Sequence, residues 1–185
     1  MSGIPKKRAK ILALVETDPD TMMAVMDGHG EGDLDHKLMR LTVGIGQLAA
    51  LLNDAGWTKA HLRKIFGFTT GWLVALGTKR TTDDVLNRIS AERDRQQELV
   101  ISGKLHFNCS YYRVAPKRKL RVLVEELGEV AQECDLLEQS NAGKRPIHSP
   151  ALIQDELTQV AAVAVAWLEA LEAPGGAATI PKGAS

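Results

Sequence analysis

Arg118-Lys-Leu-Arg-Val-Leu-Val-Glu-Glu-Leu-Gly-Glu-Val-Ala-Gln-Glu-Cys-Asp-Leu-Leu-Glu138 is the stretch from which the rest of the chain can be read. Leu120, Leu123, Val124, Leu127, Val130, Ala131 and Cys134 recur at helical spacing and make one apolar stripe. Glu126, Glu129 and Glu133 stand at i, i+3 and i+7, so three carboxylates project together from a different face. Like charges on neighbouring turns repel by roughly 0.2–0.5 kcal/mol a pair in an isolated helix. Two readings follow. The face is either a solvated acidic surface, or a place where a bound cation turns that repulsion to use.

Working outward, a polar loop at 140–150 contains Lys144 and Arg145, and a further helix is predicted from Pro150 to Leu171. The Gly, Ala and Pro-rich residues 173–185 are expected to form a disordered tail. Upstream, Thr82 is expected to cap a helix from Asp83, with Val85, Leu86, Ile89, Leu99 and Val100 inside and Arg88, Glu92, Arg93 and Arg95 outside. Residues 103–116 read as irregular and are rich in aromatics (Phe107, Tyr111, Tyr112). His106 and Cys109 could form half a zinc site, but no second ligand pair has matching spacing.

Nearer the start, short helices are predicted over 8–16 and 20–26, the second capped by Asp18 or Asp20. The acidic, Gly-rich segment 27–33 has neither a Walker pattern nor a strand–loop–helix setting, which argues against a phosphate cradle. A helix is expected over 35–53, ended by Gly56, followed by one from Thr58 to Phe66 and another from Trp72 to Leu76. Two short helices around a turn raise a helix-turn-helix regulator reading for 57–77, with Lys59, Arg63 and Lys64 on phosphates. The plainer reading is the wet face of a helical hairpin. No strand pattern occurs, so the chain is predicted to be all-α.

Composition agrees with a globular protein. The 185 residues are 44% hydrophobic and 25% charged, with a formal net charge of zero, so no global field recruits nucleic acid or anionic membrane. Two cysteines, Cys109 and Cys134, do not make a disulfide framework, and Cys134 lies on the apolar stripe. The longest apolar run, 160–168, is too short to span a bilayer, and the basic start does not read as a secretory signal. A reducing cytoplasm is the expected setting, with no membrane partner and nucleic acid unlikely as one.

The last helix supplies a counterpart to the acidic face. Residues 160–168 are apolar all round, the mark of a helix buried on most sides. Glu156 and Gln159 precede that run, and their stripe continues into Val163 and Trp167. A carboxylate entering a buried face needs a partner or a metal, because leaving it charged and unpaired costs several kcal/mol. Glu126 and Glu129 facing Glu156 and Gln159 would form an oxygen-only ligand set, suited to Mg²⁺ or Mn²⁺ and not to zinc.

Glu126-x-x-Glu129, a spacer and Glu156-x-x-Gln159 resemble the Glu-x-x-Glu and Glu-x-x-Asp signature of the MazG-like all-α nucleoside triphosphate pyrophosphohydrolases. The wording around 124–131 and 155–157 is similar to that family, as is Ala91-Glu-Arg-Asp-Arg-Gln96. The resemblance spans residues 85–172. It implies a four-helix bundle, Mg²⁺ held by Glu126, Glu129, Glu156 and Gln159, and water attack on the α-phosphorus of a nucleoside triphosphate, giving monophosphate and pyrophosphate. Glu125, Glu126 and Glu129 are then the catalytic candidates, Glu125 as base or secondary ligand. Lys117, Lys119, Arg121, Lys144 and Arg145 are candidates for the phosphates, and His106, Phe107 or Tyr111 for the base. A homodimer is expected. Gln159 departs from the pattern, because an amide offers the metal only a carbonyl oxygen; Asp155, one turn earlier, could compensate. A catalytically weak nucleotide- or partner-binding protein is the alternative this departure raises.

The domain reading is a helical region over 1–80, a MazG-like domain over 81–172 and the tail. Leu38-Met-Arg-Leu41-x4-Gly46-Gln-Leu-Ala49 aligns without gaps on Leu120-Arg-Val-Leu123-x4-Gly128-Glu-Val-Ala131, and Trp72-Leu-Val-Ala-Leu76 on Trp167-Leu-Glu-Ala-Leu171. In this register Gly44 and Gln47 replace Glu126 and Glu129, while His61 and Lys64 replace Glu156 and Gln159. The first region would be a degenerate repeat, unless ordinary Leu and Ala patterning produces the match by chance.

Overall fold

The computed structural model describes residues 13, 18–30, 32–77 and 81–173. Except for Ala13 and Ala173, the helix predicted over 8–16 and the tail predicted over 173–185 lie outside these residues. Six long helices are present among the described residues, and no strand: α1 (Pro19–His29), α2 (Leu34–Ala50), α3 (Ala55–Leu76), α4 (Thr82–Ile101), α5 (Pro116–Asn141) and α6 (Pro150–Glu172). The all-α expectation holds.

The helix starts follow from local chemistry. Side chains of Asp18, Asp33, Asp54 and Ser149 accept from the otherwise unpaired N–H groups of α1, α2, α3 and α6. At α4, Thr81 and Asp84 form a reciprocal capping box, one residue earlier than the predicted Thr82 cap. Gly103 and Gly143, at φ 74° and 69°, take the left-handed turns that follow α4 and α5. The segment predicted as a loop from Asp27 is helical through His29.

The largest departure is α3. Where two short helices were predicted, 22 residues run unbroken through Gly67-Phe-Thr-Thr-Gly71. These residues read as breakers because Gly and Thr disfavour helix interiors. Here they are contact residues. A Cβ on Gly71 would stand 1.9 Å from the Val25 carbonyl oxygen, one on Gly67 2.5 Å from that of Thr21, and one on Gly28 2.0 Å from that of Phe68. Helices α1 and α3 therefore pack backbone to backbone, which only glycine allows. Thr69 and Thr70 donate their hydroxyls to the Ile65 and Phe66 carbonyls of the preceding turn, so they are buried without unpaired groups. With no turn inside 57–77, the two-helix geometry behind the regulator reading is absent.

Helix α6 lies at the centre, against α3, α5 and α4. By length and composition alone it could cross a membrane. In this fold its apolar positions, from Ile153 through Trp167 to Ala170, face the other helices and are at most 3% exposed. Trp72 and Trp167 are the largest fully buried side chains, and one continuous apolar cluster runs from Leu41 and Leu62 through Leu86 and Leu123 to Leu168. The expected boundary at residue 80 thus falls between α3 and α4 without dividing the core.

Two buried cations in this core, Arg93 and Lys37, have polar partners. Arg93, expected outside, is 5% exposed and donates to Glu169 Oε2 at 2.9 Å and to the side-chain oxygen of Gln96 at 3.0 Å. Lys37 reaches the Gly28 carbonyl at 2.8 Å, where burial lowers its pKa.

Candidate metal centre

Glu126 and Glu129 stand one turn apart on α5, and Glu156 stands on α6 where the two helices pack. One carboxylate oxygen from each lies within 4.8 Å of the other two. Glu126 and Glu156 are half-buried and Glu129 is exposed. Oε2 of Glu126 is buried with no hydrogen-bond partner, a costly state for a carboxylate unless a proton or cation joins it.

The electrostatics record the same crowding. Burial, then the charges of Glu129, Glu156, Glu125 and Glu92, push the Glu126 carboxyl up to about 7. The Glu156 carboxyl is also raised to about 7, by burial first, then by its hydrogen bond to Glu129 and that group's charge. Near neutral pH the cluster holds protons that a solvated carboxylate would have released. A divalent cation would displace them and satisfy the orphaned oxygen, and three carboxylates form the hard-oxygen donor set such a cation takes.

Several expectations need correction. Glu133, the third member of the acidic face, accepts a 2.6 Å hydrogen bond from His148 Nε2 and stands outside the trio. His148, in the loop before α6, was not foreseen as its partner. Gln159 donates its amide N–H to Glu156 Oε2, so its nitrogen, not its carbonyl, faces the carboxylates. Asp155 does not compensate for it: its carboxylate pairs with Arg88 and is 58% exposed. Glu125 is exposed on α5 beside the trio, and its charge helps raise the Glu126 carboxyl.

Among the expected substrate contacts, Arg121, Lys144, Arg145 and His106 are all exposed, and none of them lines the cavity beside Gln159. Lys119 alone is buried, at 3% exposure on the Glu126 side of α5, two turns earlier. Burial lowers its pKa to about 8. Its neighbour Cys109 is buried and free, with burial pushing the thiol up to about 11, whereas His106 is exposed, and the metal-ligand cluster found among the described residues includes neither. The sequence reading missed the α4 contribution. Glu92, Arg95 and Arg88 line a cavity of about 360 Å³ with Asp155, Thr158 and Gln159. Arg95 donates two hydrogen bonds to Glu92, at 2.6 and 2.8 Å, and these, with the charges of Glu92 and Glu126, raise its pKa. The available signal was the spacing of Arg88, Glu92 and Arg95 at i, i+4 and i+7, a polar stripe on one helical face.

Comparison with protein-family models, with curated proteins and with solved structures gave no match to this chain.

Proposed function

We propose that this protein hydrolyses nucleoside triphosphates to monophosphate and pyrophosphate with a divalent cation, Mg²⁺ or Mn²⁺, held by Glu126, Glu129 and Glu156. The observation that carries this reading is the convergence of three carboxylates from two helices on a buried, unpartnered Glu126 oxygen. The order of the two motifs along the chain, on which the MazG-like resemblance rests, supports it.

The cation would neutralise phosphate charge and acidify water beside it. The protein supplies the rest. The trio fixes the cation through α5 and α6. Arg88 and Arg95 stand beside the cavity on α4, placed to meet phosphate oxygens once a substrate competes with Asp155 and Glu92 for them. Glu125, exposed and adjacent to the trio, is the carboxylate free to accept a proton.

A panel of ribo- and deoxyribonucleoside triphosphates with Mg²⁺ or Mn²⁺, assayed separately for pyrophosphate and orthophosphate, tests the proposal. Pyrophosphate with the monophosphate is expected, and Glu129→Gln should abolish it. No turnover of any nucleotide with either cation would overturn the enzyme reading. Nucleotide binding without turnover would leave a binding protein in its place, a reading favoured by the Gln159 amide on Glu156.

A further inference from the structure

Helices α1, α2 and α3 line a solvent-open cleft of about 440 Å³, within the roughly 300–1,000 Å³ of small-molecule sites. Its lining includes Gly44, Gln47, His61 and Lys64. These are the four residues that the internal register sets opposite Glu126, Glu129, Glu156 and Gln159.

The structure gives that register physical content. Leu34 opens α2 where Pro116 opens α5, and Ala55 opens α3 where Pro150 opens α6, at the offsets of the aligned strings. Burial matches position by position: Leu41 with Leu123, Leu48 with Val130, Leu62 with Leu157, Trp72 with Trp167 and Leu73 with Leu168 are all at most 2% exposed. What differs is the chemistry at the four facing positions, where every carboxylate is gone.

We infer that this cavity is a second ligand site, which takes a nucleoside monophosphate without a divalent cation. Lys64 has no ion-pair partner among the described residues and supplies the positive charge for the phosphate. His61 donates from Nδ1 to the Trp57 carbonyl at 2.9 Å. That hydrogen bond leaves Nε2 to accept from a ligand O–H, as a ribose provides. Gly44 puts no side chain where Glu126 stands in the other helix pair, leaving room. The exposed apolar wall is Met39 and Val43, on which a flat base can lie, while Phe68 behind them is buried with the Arg40 guanidinium 5.6 Å over its ring. Of the two acids in the lining, Asp27 is bound to Arg40 at 2.9 Å, and Asp20 is exposed in the first turn of α1. This inference stands on the cavity's own lining and does not require turnover at the carboxylate trio.

The test is titration of the full chain with AMP and GMP in EDTA, followed by calorimetry and by the fluorescence of Trp57, whose ring lies 6.2 Å from that of His61. Saturable binding at or below millimolar concentration is expected, unchanged in Glu126→Gln. It should weaken about tenfold or more in Lys64→Glu and in Gly44→Glu, where an added Cβ meets nothing closer than 3.7 Å. Far-UV circular dichroism verifies that both variants are folded. No saturation with either nucleotide, or binding that needs Mg²⁺ and disappears in Glu126→Gln, would overturn the inference. Inorganic phosphate binding as tightly as AMP would also overturn it, since the apolar wall would then contribute nothing. So would a change in sedimentation of Lys64→Glu without ligand, which would make the cavity part of a contact between copies.

Discussion

Glu126→Gln removes one charge from the carboxylate trio while keeping the shape of the side chain, and the structure fixes the sign of its effect. Burial, then the neighbouring carboxylates, lift this carboxyl from its ordinary 4.5 to about 7 on folding. A group whose pKa is raised in the folded state contributes stability below its unfolded pKa, and that contribution is lost as pH climbs through the folded value. The cation-free wild type should therefore lose stability relative to the glutamine variant between about pH 4.5 and 7, and stay at the lower level above it. At 1.36 kcal/mol per pKa unit the ceiling is about 3 kcal/mol. Glu126 is only partly buried, and solvent screening reduces this to about 1–2 kcal/mol. Urea unfolding of both proteins at pH 5 and pH 8 in EDTA reads it directly, and the stability difference in favour of the variant should grow by that amount at the higher pH. Adding Mg²⁺ at pH 8 should recover the loss in the wild type and do much less for the variant. A stability difference that does not change with pH, or equal Mg²⁺ stabilisation of both proteins, would refute the account of a strained carboxylate awaiting a cation.

The glycines offer a contrast within one residue type. Gly71→Ala should destabilise by at least about 3 kcal/mol, since the new methyl would overlap the Val25 carbonyl, whereas Gly46→Ala, with open space around it, should stabilise by roughly 0.5–1 kcal/mol; thermal melts rank the two. Arg93→Met should cost about 3–5 kcal/mol in urea unfolding by stranding Glu169 in a mostly buried setting, and Arg93→Met with Glu169→Leu should regain most of it. Gln159→Asp should strengthen Mg²⁺ binding, measured by calorimetry at pH 8, because it replaces the amide N–H on Glu156 with a fourth carboxylate.

Much of this arrangement is visible in the sequence, for identifiable reasons. The heptad-like spacing on α5 and the all-apolar middle of α6 each encode a helix and the face it buries, and Glu126, Glu129 and Glu156 follow from that spacing once the two helices pack. What local pattern could not convey lies between helices. Gly67 and Gly71 carry helix-breaking propensity, and only the approach of α1 explains their place inside α3. Arg93 and Glu92 look solvent-facing on α4 until Glu169 and Glu126 are brought alongside. The pairing of Glu133 with His148, 15 residues apart across a loop, removes from the trio a carboxylate that spacing alone includes. Gln159 shows the limit most plainly: its identity is legible, while the direction of its amide depends on which acceptor stands nearest.

The unbroken core across residue 80 bears on how the molecule comes apart. Leu62, Phe66 and Trp72 of α3 share one buried cluster with Leu157, Trp167 and Leu168 of α6, so neither half can open without stripping the other. Heat or denaturant should then melt both in a single cooperative transition. The two halves, if expressed apart, would each display an apolar wall the size of their former contact and associate or aggregate through it.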